Sequence, residues 1–225
     1  MEIGEGVCHE LMVSRGLVVP GDLVVGADSH TCTYGAIGAF STGVGSTELA
    51  VVMLSGELWF KVPETIRLNL KGKLPVGVFS KDIILYLAGK LGADGATYQA
   101  LEFHGPVIEN LEVEERFTIS NMAVEVGAKA GLMVPDEKAI KWVRERTNRE
   151  FQPVFPDSDA QYSQVIEVDC PSLSPQVALP HQVDNVVPIE EIGEVPIQEA
   201  FLGTCTNGRL IDIGVAARIL EGRKV

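Results

Sequence analysis

The feature that most restricts this chain is a short β-run delivered straight into polar residues and then a helix start. Residues 22–26, Asp-Leu-Val-Val-Gly, form a brief valine-rich run of the kind that fills a buried strand. It passes without a break into Ala27-Asp-Ser-His-Thr31 and a connection punctuated by Gly35, Gly38, Gly43 and Gly45. A helix is predicted next, from Ser46 or Thr47 to about Leu58, with Glu48 in its first turn. Strand, polar loop, helix is the repeating unit of α/β proteins, whose ligand sites gather at the carboxyl ends of strands. The same order returns later: a strand predicted over 197–202, the loop Gly203-Thr-Cys-Thr-Asn-Gly-Arg209, and an amphipathic helix over 210–220.

Between these units the chain alternates in the same way. Strands are predicted over 65–71, 100–103 and 165–168, and helices over 81–90, 113–126 and 135–146. Residues 151–163 read as a loop, and the four prolines between Pro171 and Pro188 suggest a linker or an extended crossing segment. The fold class is therefore α/β.

The chain carries 31 acidic against 18 basic residues, a formal charge of −13. A surface that negative repels phosphate backbones, which argues against nucleic acid as a partner but not against an anionic substrate in a locally positive pocket. The longest apolar run, near 49–54, is far too short to cross a bilayer, so no membrane association is expected. No secretory signal is visible at the N-terminus. Cys8, Cys32, Cys170 and Cys205 show no short paired spacing and read as reduced thiols of a cytoplasmic protein, one of them a candidate metal ligand.

Three polar clusters fall at predicted strand ends or entries: Cys8-His9, Asp28-Ser29-His30, and Thr204-Cys205-Thr206-Asn207. A fourth pair, Asn121 and Glu125, stands four residues apart in a predicted helix, which would put both on one face. Each alone has a bland explanation. Asp28 and Ser29 could cap a turn, Cys205 could be a small buried apolar residue, and a single histidine is more often structural than functional. Together, two imidazoles and two carboxylates supply what proton transfer needs, because a carboxylate beside an imidazole fixes its tautomer and strengthens it as a base. A thiolate on a loop entering a helix N-terminus is an accessible metal ligand.

The long stretch Gly26-Ala-Asp-Ser-His-Thr-Cys-Thr-Tyr-Gly-Ala-Ile-Gly-Ala-Phe-Ser-Thr-Gly-Val-Gly-Ser-Thr47, with the loop at 203–209, resembles the two signature regions of the aconitase superfamily. The flanking segments Gly4-Glu-Gly-Val-Cys-His9, Trp59-Phe-Lys-Val-Pro-Glu-Thr65, Asp94-Gly-Ala-Thr-Tyr98, Asn121-Met-Ala-Val-Glu125 and Pro175-Gln-Val-Ala-Leu-Pro-His181 are similar to its isopropylmalate–homoaconitate branch. Thr33, where some aconitases carry a pocket asparagine, fits that branch.

The resemblance implies aconitase-like three-layer α/β/α domains, with residues 1–61 closing a first domain, 62–180 forming a second and 181–225 opening a third. It implies a hydro-lyase that isomerises 2-isopropylmalate to 3-isopropylmalate in leucine biosynthesis, or the homoaconitase counterpart. The chain would then be an internal portion of the large subunit, working with a small subunit that supplies a base and substrate specificity. The family's cofactor is a [4Fe–4S] cluster on three cysteines, which acts as a Lewis acid toward a hydroxy-dicarboxylate. By the same resemblance Cys205 is the first cluster ligand, and Asp28 and His30 contact the iron-bound oxygen. His9 pairs with Asp28, His30 pairs with Glu125, and Ser29 and Asn121 line the substrate pocket.

One departure matters. The family's remaining cluster cysteines come from a Cys-x-x-Cys motif, and this sequence has none. Cys8 and Cys32 stand in family motifs as non-ligands and do not replace it. The chain alone is therefore expected to be inactive and to lack a stable cluster. The readings from other classes are an assembly module that only docks a small subunit, and a thiol- or metal-dependent hydrolase using either Cys8-His9 or a metal site of His9, His30 and Asp28. The hydrolase reading leaves the glycine pattern unexplained.

Overall fold

A computed structural model describes residues 4–224. The first segment runs from helix α1 (Cys8–Ser14) through strand β1 (Leu23–Gly26) to strand β2 (Phe40–Gly43), which pairs with β1 in parallel, and helix α2 (Ser46–Ser55). The crossover between the two strands is a tight 3-10 helical segment, Ser29–Ile37, rather than an open loop. Asp28 caps it, its carboxylate accepting the His30 N–H at 2.8 Å. Strand β2 was not expected, because four residues among glycines carry too little pattern to announce a strand. Helix α2 stops three residues earlier than predicted, where Gly56 takes a left-handed conformation (φ 75°) that ends a helix at little strain.

Next come β3 (Thr65–Lys71), α3 (Ser80–Leu91), β4 (Ala100–His104), the short α4 (Pro106–Asn110), α5 (Val113–Asn121), β5 (Ala130–Met133), α6 (Glu137–Arg144) and β6 (Gln164–Asp169). The four strands form one parallel sheet in the order β5-β4-β3-β6. Alternation dictates its core: Ile66, Leu68 and Leu70 of β3, with Leu101 and Phe103 of β4, turn inward onto Ile83, Ile84 and Leu87 of α3 and Ile119 of α5. The polar positions between them, Arg67, Asn69, Glu102 and His104, take the other face. Glu102 there accepts hydrogen bonds from His104 and, at 2.8 Å, from Tyr162.

A second apolar cluster welds the first segment to the helices of this sheet, joining Val13, Val18, Val19, Tyr34 and Ile37 to Val113 and Phe117 of α5 and Ala139 and Val143 of α6. The two segments therefore share packing across residue 61. Contact between the 29–37 segment and edge strand β5 is so close that a Cβ on Gly35 would stand 1.9 Å from the carbonyl oxygen of Gly131. Only glycine fits there.

The single helix expected over 113–126 is two elements. Helix α5 ends at Asn121, the chain tightens into a 3-10 turn over Met122–Val126, and Gly127 (φ 82°) closes it. Residues 171–188 are not only a linker, since β7 (Gln176–Ala178) and β8 (Val186–Pro188) pair there as an antiparallel hairpin. No strand forms over 197–202. Among the described residues nothing pairs with it, Ile197 and Phe201 are 71% and 79% exposed, and a strand without a partner leaves its backbone groups unsatisfied by the fold. The final helix, α7 (Leu210–Leu220), is as expected. Neither α2 nor α7 has a fully buried residue, and Leu54 and Leu210 are almost entirely exposed.

One buried ion pair holds α5 to α6. The Arg116 guanidinium has no exposed surface and donates through Nη1 and Nη2 to the two carboxylate oxygens of Asp136, at 2.9 and 2.6 Å. Asp136 also caps α6 by accepting the Ala139 N–H. Partial burial pushes its carboxyl up, but Arg116 and the Ala139 N–H outweigh this and hold it below the ordinary carboxylate value. A carboxyl lowered on folding contributes stability that is complete above its unfolded pKa and is lost as pH falls through the folded value. Asp136→Asn is expected to leave the buried guanidinium uncompensated, lowering unfolding free energy at neutral pH by about 3 kcal/mol. It should also flatten the loss of stability below about pH 4. Urea unfolding of both proteins as a function of pH measures both effects.

Candidate active site

The local sequence around residue 28 turns a strand end into a display of polar groups. Strand β1 delivers Asp28 at its carboxyl end, and the capped 3-10 turn then projects His30 beside it. Helix α1 brings His9 to the other side. His9 is 5% exposed, and its Nε2 meets Asp28 Oδ1 at 2.9 Å. His30 Nε2 meets Glu125 Oε1 at 3.2 Å, from the 3-10 turn that follows α5. His30 Nδ1 stands 3.7 Å from the same Asp28 oxygen. The two imidazoles lie edge to face, ring centroids 6.3 Å apart. His9–Asp28 and His30–Glu125 thus form two imidazole–carboxylate pairs, linked by the His30 backbone N–H on Asp28 Oδ1.

Asp28 Oδ1 is where the two pairs join. Partial burial raises this carboxyl, but the His30 N–H and the His9 imidazole outweigh that and keep it below the usual carboxylate range. It is therefore ionised at neutral pH, and each carboxylate faces an imidazole Nε2, which fixes that nitrogen as the proton-bearing one. Ser29 Oγ lies 3.3 Å from His30 Nδ1, on the exposed side.

Asn121 is fully buried and its amide is used at both ends. Nδ2 donates to Thr33 Oγ1 at 2.8 Å, and Oδ1 accepts from Thr206 Oγ1 at 2.7 Å. Thr118 Oγ1, one turn earlier on α5, donates to the Thr206 carbonyl and accepts from Asn207 Nδ2. These bonds tie the 203–209 loop to α5. They place Asn121 beneath the His30 segment and Glu125 beside it, with the break in helix between them aiming the two side chains at different partners.

Cys205 is half-buried on that loop. It borders a cavity of about 780 Å³ together with Glu10, Trp142 and Arg209. Among the described residues no three His, Cys, Asp or Glu side chains meet as a metal site. Cys32 is buried, donates to the Asn121 carbonyl, and burial pushes its thiol up to about 12. Burial likewise raises Cys170, to about 11. Cys8 is exposed on α1, its sulfur 3.6 Å from His9 Nδ1. The described residues thus offer one loop thiol, Cys205, and do not by themselves fit a cluster that needs three cysteine ligands.

Sequence reasoning missed Thr118, Glu10 and Arg209. Threonine on a helix and single charges beside motifs carry no signal until the fold shows what they reach.

Known proteins resemble this chain along its length. The family profile described as Aconitase family (aconitate hydratase) matches residues 1–195. The 3-isopropylmalate dehydratase large subunit 2 of Archaeoglobus fulgidus is 58% identical over 223 residues, covering 99% of this chain and 53% of that protein. The 3-isopropylmalate dehydratase large subunit of Moorella thermoacetica is 55% identical over 225 residues, 100% of this chain and 53% of its own length. A protein of Methanosarcina mazei named "Probable methanogen homoaconitase large subunit" is 51% identical over 224 residues, again 100% of this chain and 57% of its own. The chain spans about half the length of the curated relatives it matches. With a profile covering most of its residues and its chemistry-bearing side chains gathered at one strand end, this chain belongs to the aconitase family.

Proposed function

We propose that this chain is the part of a hydro-lyase large subunit that handles protons during the dehydration and rehydration of a 2-hydroxy dicarboxylate, with 2-isopropylmalate as its substrate. The observation that supports the reading is the two imidazole–carboxylate pairs, His9–Asp28 and His30–Glu125, joined where the His30 backbone N–H donates to Asp28. Expelling a hydroxyl from carbon and returning it to the neighbouring carbon requires a group that can give a proton and take it back at one place. An imidazole whose Nε2–H is held by a carboxylate does this through its free nitrogen, and here two such imidazoles, each on its own carboxylate, stand with ring centroids 6.3 Å apart. Ser29, beside the exposed nitrogen of His30, is the hydroxyl that meets the substrate. Asn121 sets the wall behind it by fixing Thr33 and the 203–209 loop.

In this reading residues 1–61, 62–180 and 181–225 are parts of three α/β domains, and Cys205 provides one ligand of a [4Fe–4S] cluster. When bound, such a cluster supplies a Lewis acid to the leaving oxygen. The other thiolates, the base that removes the carbon-bound proton and the groups that read the isopropyl side chain come from polypeptide beyond these residues, including a small subunit. The free thiols suit a reducing compartment, and we assign the enzyme to the cytoplasm on that ground.

The test is a chimera in which this chain replaces the matching segment of the Moorella thermoacetica large subunit, assayed with its small subunit after iron and sulfide reconstitution. It is expected to interconvert 2- and 3-isopropylmalate and to prefer them to homocitrate. A chimera that folds, carries its cluster and is inert toward both substrates overturns the proposal.

In the active chimera, His30→Gln and Asp28→Asn are each expected to lower kcat by about 10² to 10⁴, the range for losing a positioned acid–base group, with a smaller change in KM. The 225-residue chain treated alone with iron and sulfide is expected to show no stoichiometric absorbance in the cluster band.

A further inference from the structure

Glu10 and Arg209 lie outside the hydrogen-bonded chain described above, yet they join the two elements whose relative placement matters most to it. Arg209 stands where the 203–209 loop enters α7, and its backbone N–H donates to Asp212 Oδ2 at 2.9 Å. Its side chain is 8% exposed, and Nε lies 3.0 Å from Glu10 Oε2. The guanidinium carbon sits 4.7 Å from the centroid of the Phe117 ring of α5, and that ring is itself held edge-on by Trp142. Glu10 is the residue after His9 on α1. Cys205, Arg209 and Glu10 border the same cavity.

The loop bearing Cys205 is thus tethered at two points. Thr206 fixes it to α5 through Asn121, and Arg209 fixes it to α1 through Glu10. The first tether sets the loop against α5, and the second is its direct contact with the His9 helix. The guanidinium is almost wholly buried and stacked on an aromatic face, Glu10 is 47% exposed, and neither Nε nor Nη1 of Arg209 has a hydrogen-bond partner, so the contact is a close charge pair held in place by the ring.

We propose that Arg209 is a positioning residue, whose ion pair with Glu10, braced by the Phe117 ring, sets where Cys205 stands relative to His9. The significance of that placement rests on the hydro-lyase reading, but its test does not. The experiment follows the rate at which N-ethylmaleimide alkylates Cys205 in this chain, resolved from Cys8 by peptide mass, for the wild type, Glu10→Gln, Arg209→Met and the double variant. Urea unfolding midpoints are taken alongside, so that rates are compared among folded molecules.

If the pair tethers the loop, each single variant loosens it and raises the Cys205 rate, on the order of fivefold. The double variant then rises no further than either alone. A direct effect of charge on the thiolate gives the opposite pattern. Removing the Glu10 carboxylate would favour the thiolate and speed alkylation, whereas removing the Arg209 cation would slow it. Rates moving in opposite directions, a Cys205 rate unmoved by Glu10→Gln, or effects that multiply in the double variant would each overturn the proposal. Because neither iron, sulfide nor substrate takes part, an inactive chimera and a failed tether are separate results.

Discussion

The arrangement of acids and bases depends first on how closely the 29–37 segment approaches strand β5. Gly35 rests on the Gly131 carbonyl at a distance no side chain would permit. That contact brings a turn carrying Asp28 and His30 against the sheet whose connections carry Asn121 and Glu125. A larger residue would push the turn outward, and the His30–Glu125 contact, already 3.2 Å, would open. Packing on the scale of a single methyl group therefore decides whether the His30–Glu125 pair forms.

Polar bonds then convert proximity into orientation. The buried Asn121 amide has one donor on Thr33 and its acceptor on Thr206, so two segments distant in sequence are held to one helix end. Leaving either side unpaired in so buried a place would cost about 1–3 kcal/mol, which makes the network specific as well as cohesive. The tight turn after Asn121 performs a second task, rotating Glu125 away from the Asn121 direction and toward His30. A continuous α-helix would have kept both on one face.

Much of this was legible in the residues. Strands with strict alternation, such as 65–71, sit where the pattern put them, and the helix expected over 81–90 runs 80–91 to its stop at Gly92, with Phe79 rather than Ser80 at the cap position. His9, Asp28, His30 and Glu125 could be singled out because their chemistry is distinctive and because their surroundings resemble a known family. What stayed hidden was set by tertiary contact. Strands β2 and β5 are four residues each and gain their identity only from the partners they pair with. The expected strand over 197–202 had the composition of one and no neighbour to pair with. The Glu10–Arg209 contact spans nearly the whole chain, and no local pattern announces it.

The two uncovered helices carry a consequence for how such a chain behaves in bulk solution. Helix α2 with Trp59, and α7 with Phe201, present apolar faces to water, while the chain as a whole bears a formal net charge of −13. Dispersion of such a chain then depends on mutual repulsion between like-charged particles rather than on a well-wetted exterior. That repulsion reaches about 30 Å at 0.01 M ionic strength but only about 8 Å at 0.15 M. Colloidal stability is therefore a matter of dilute buffer: added electrolyte strips away the barrier that keeps these faces apart.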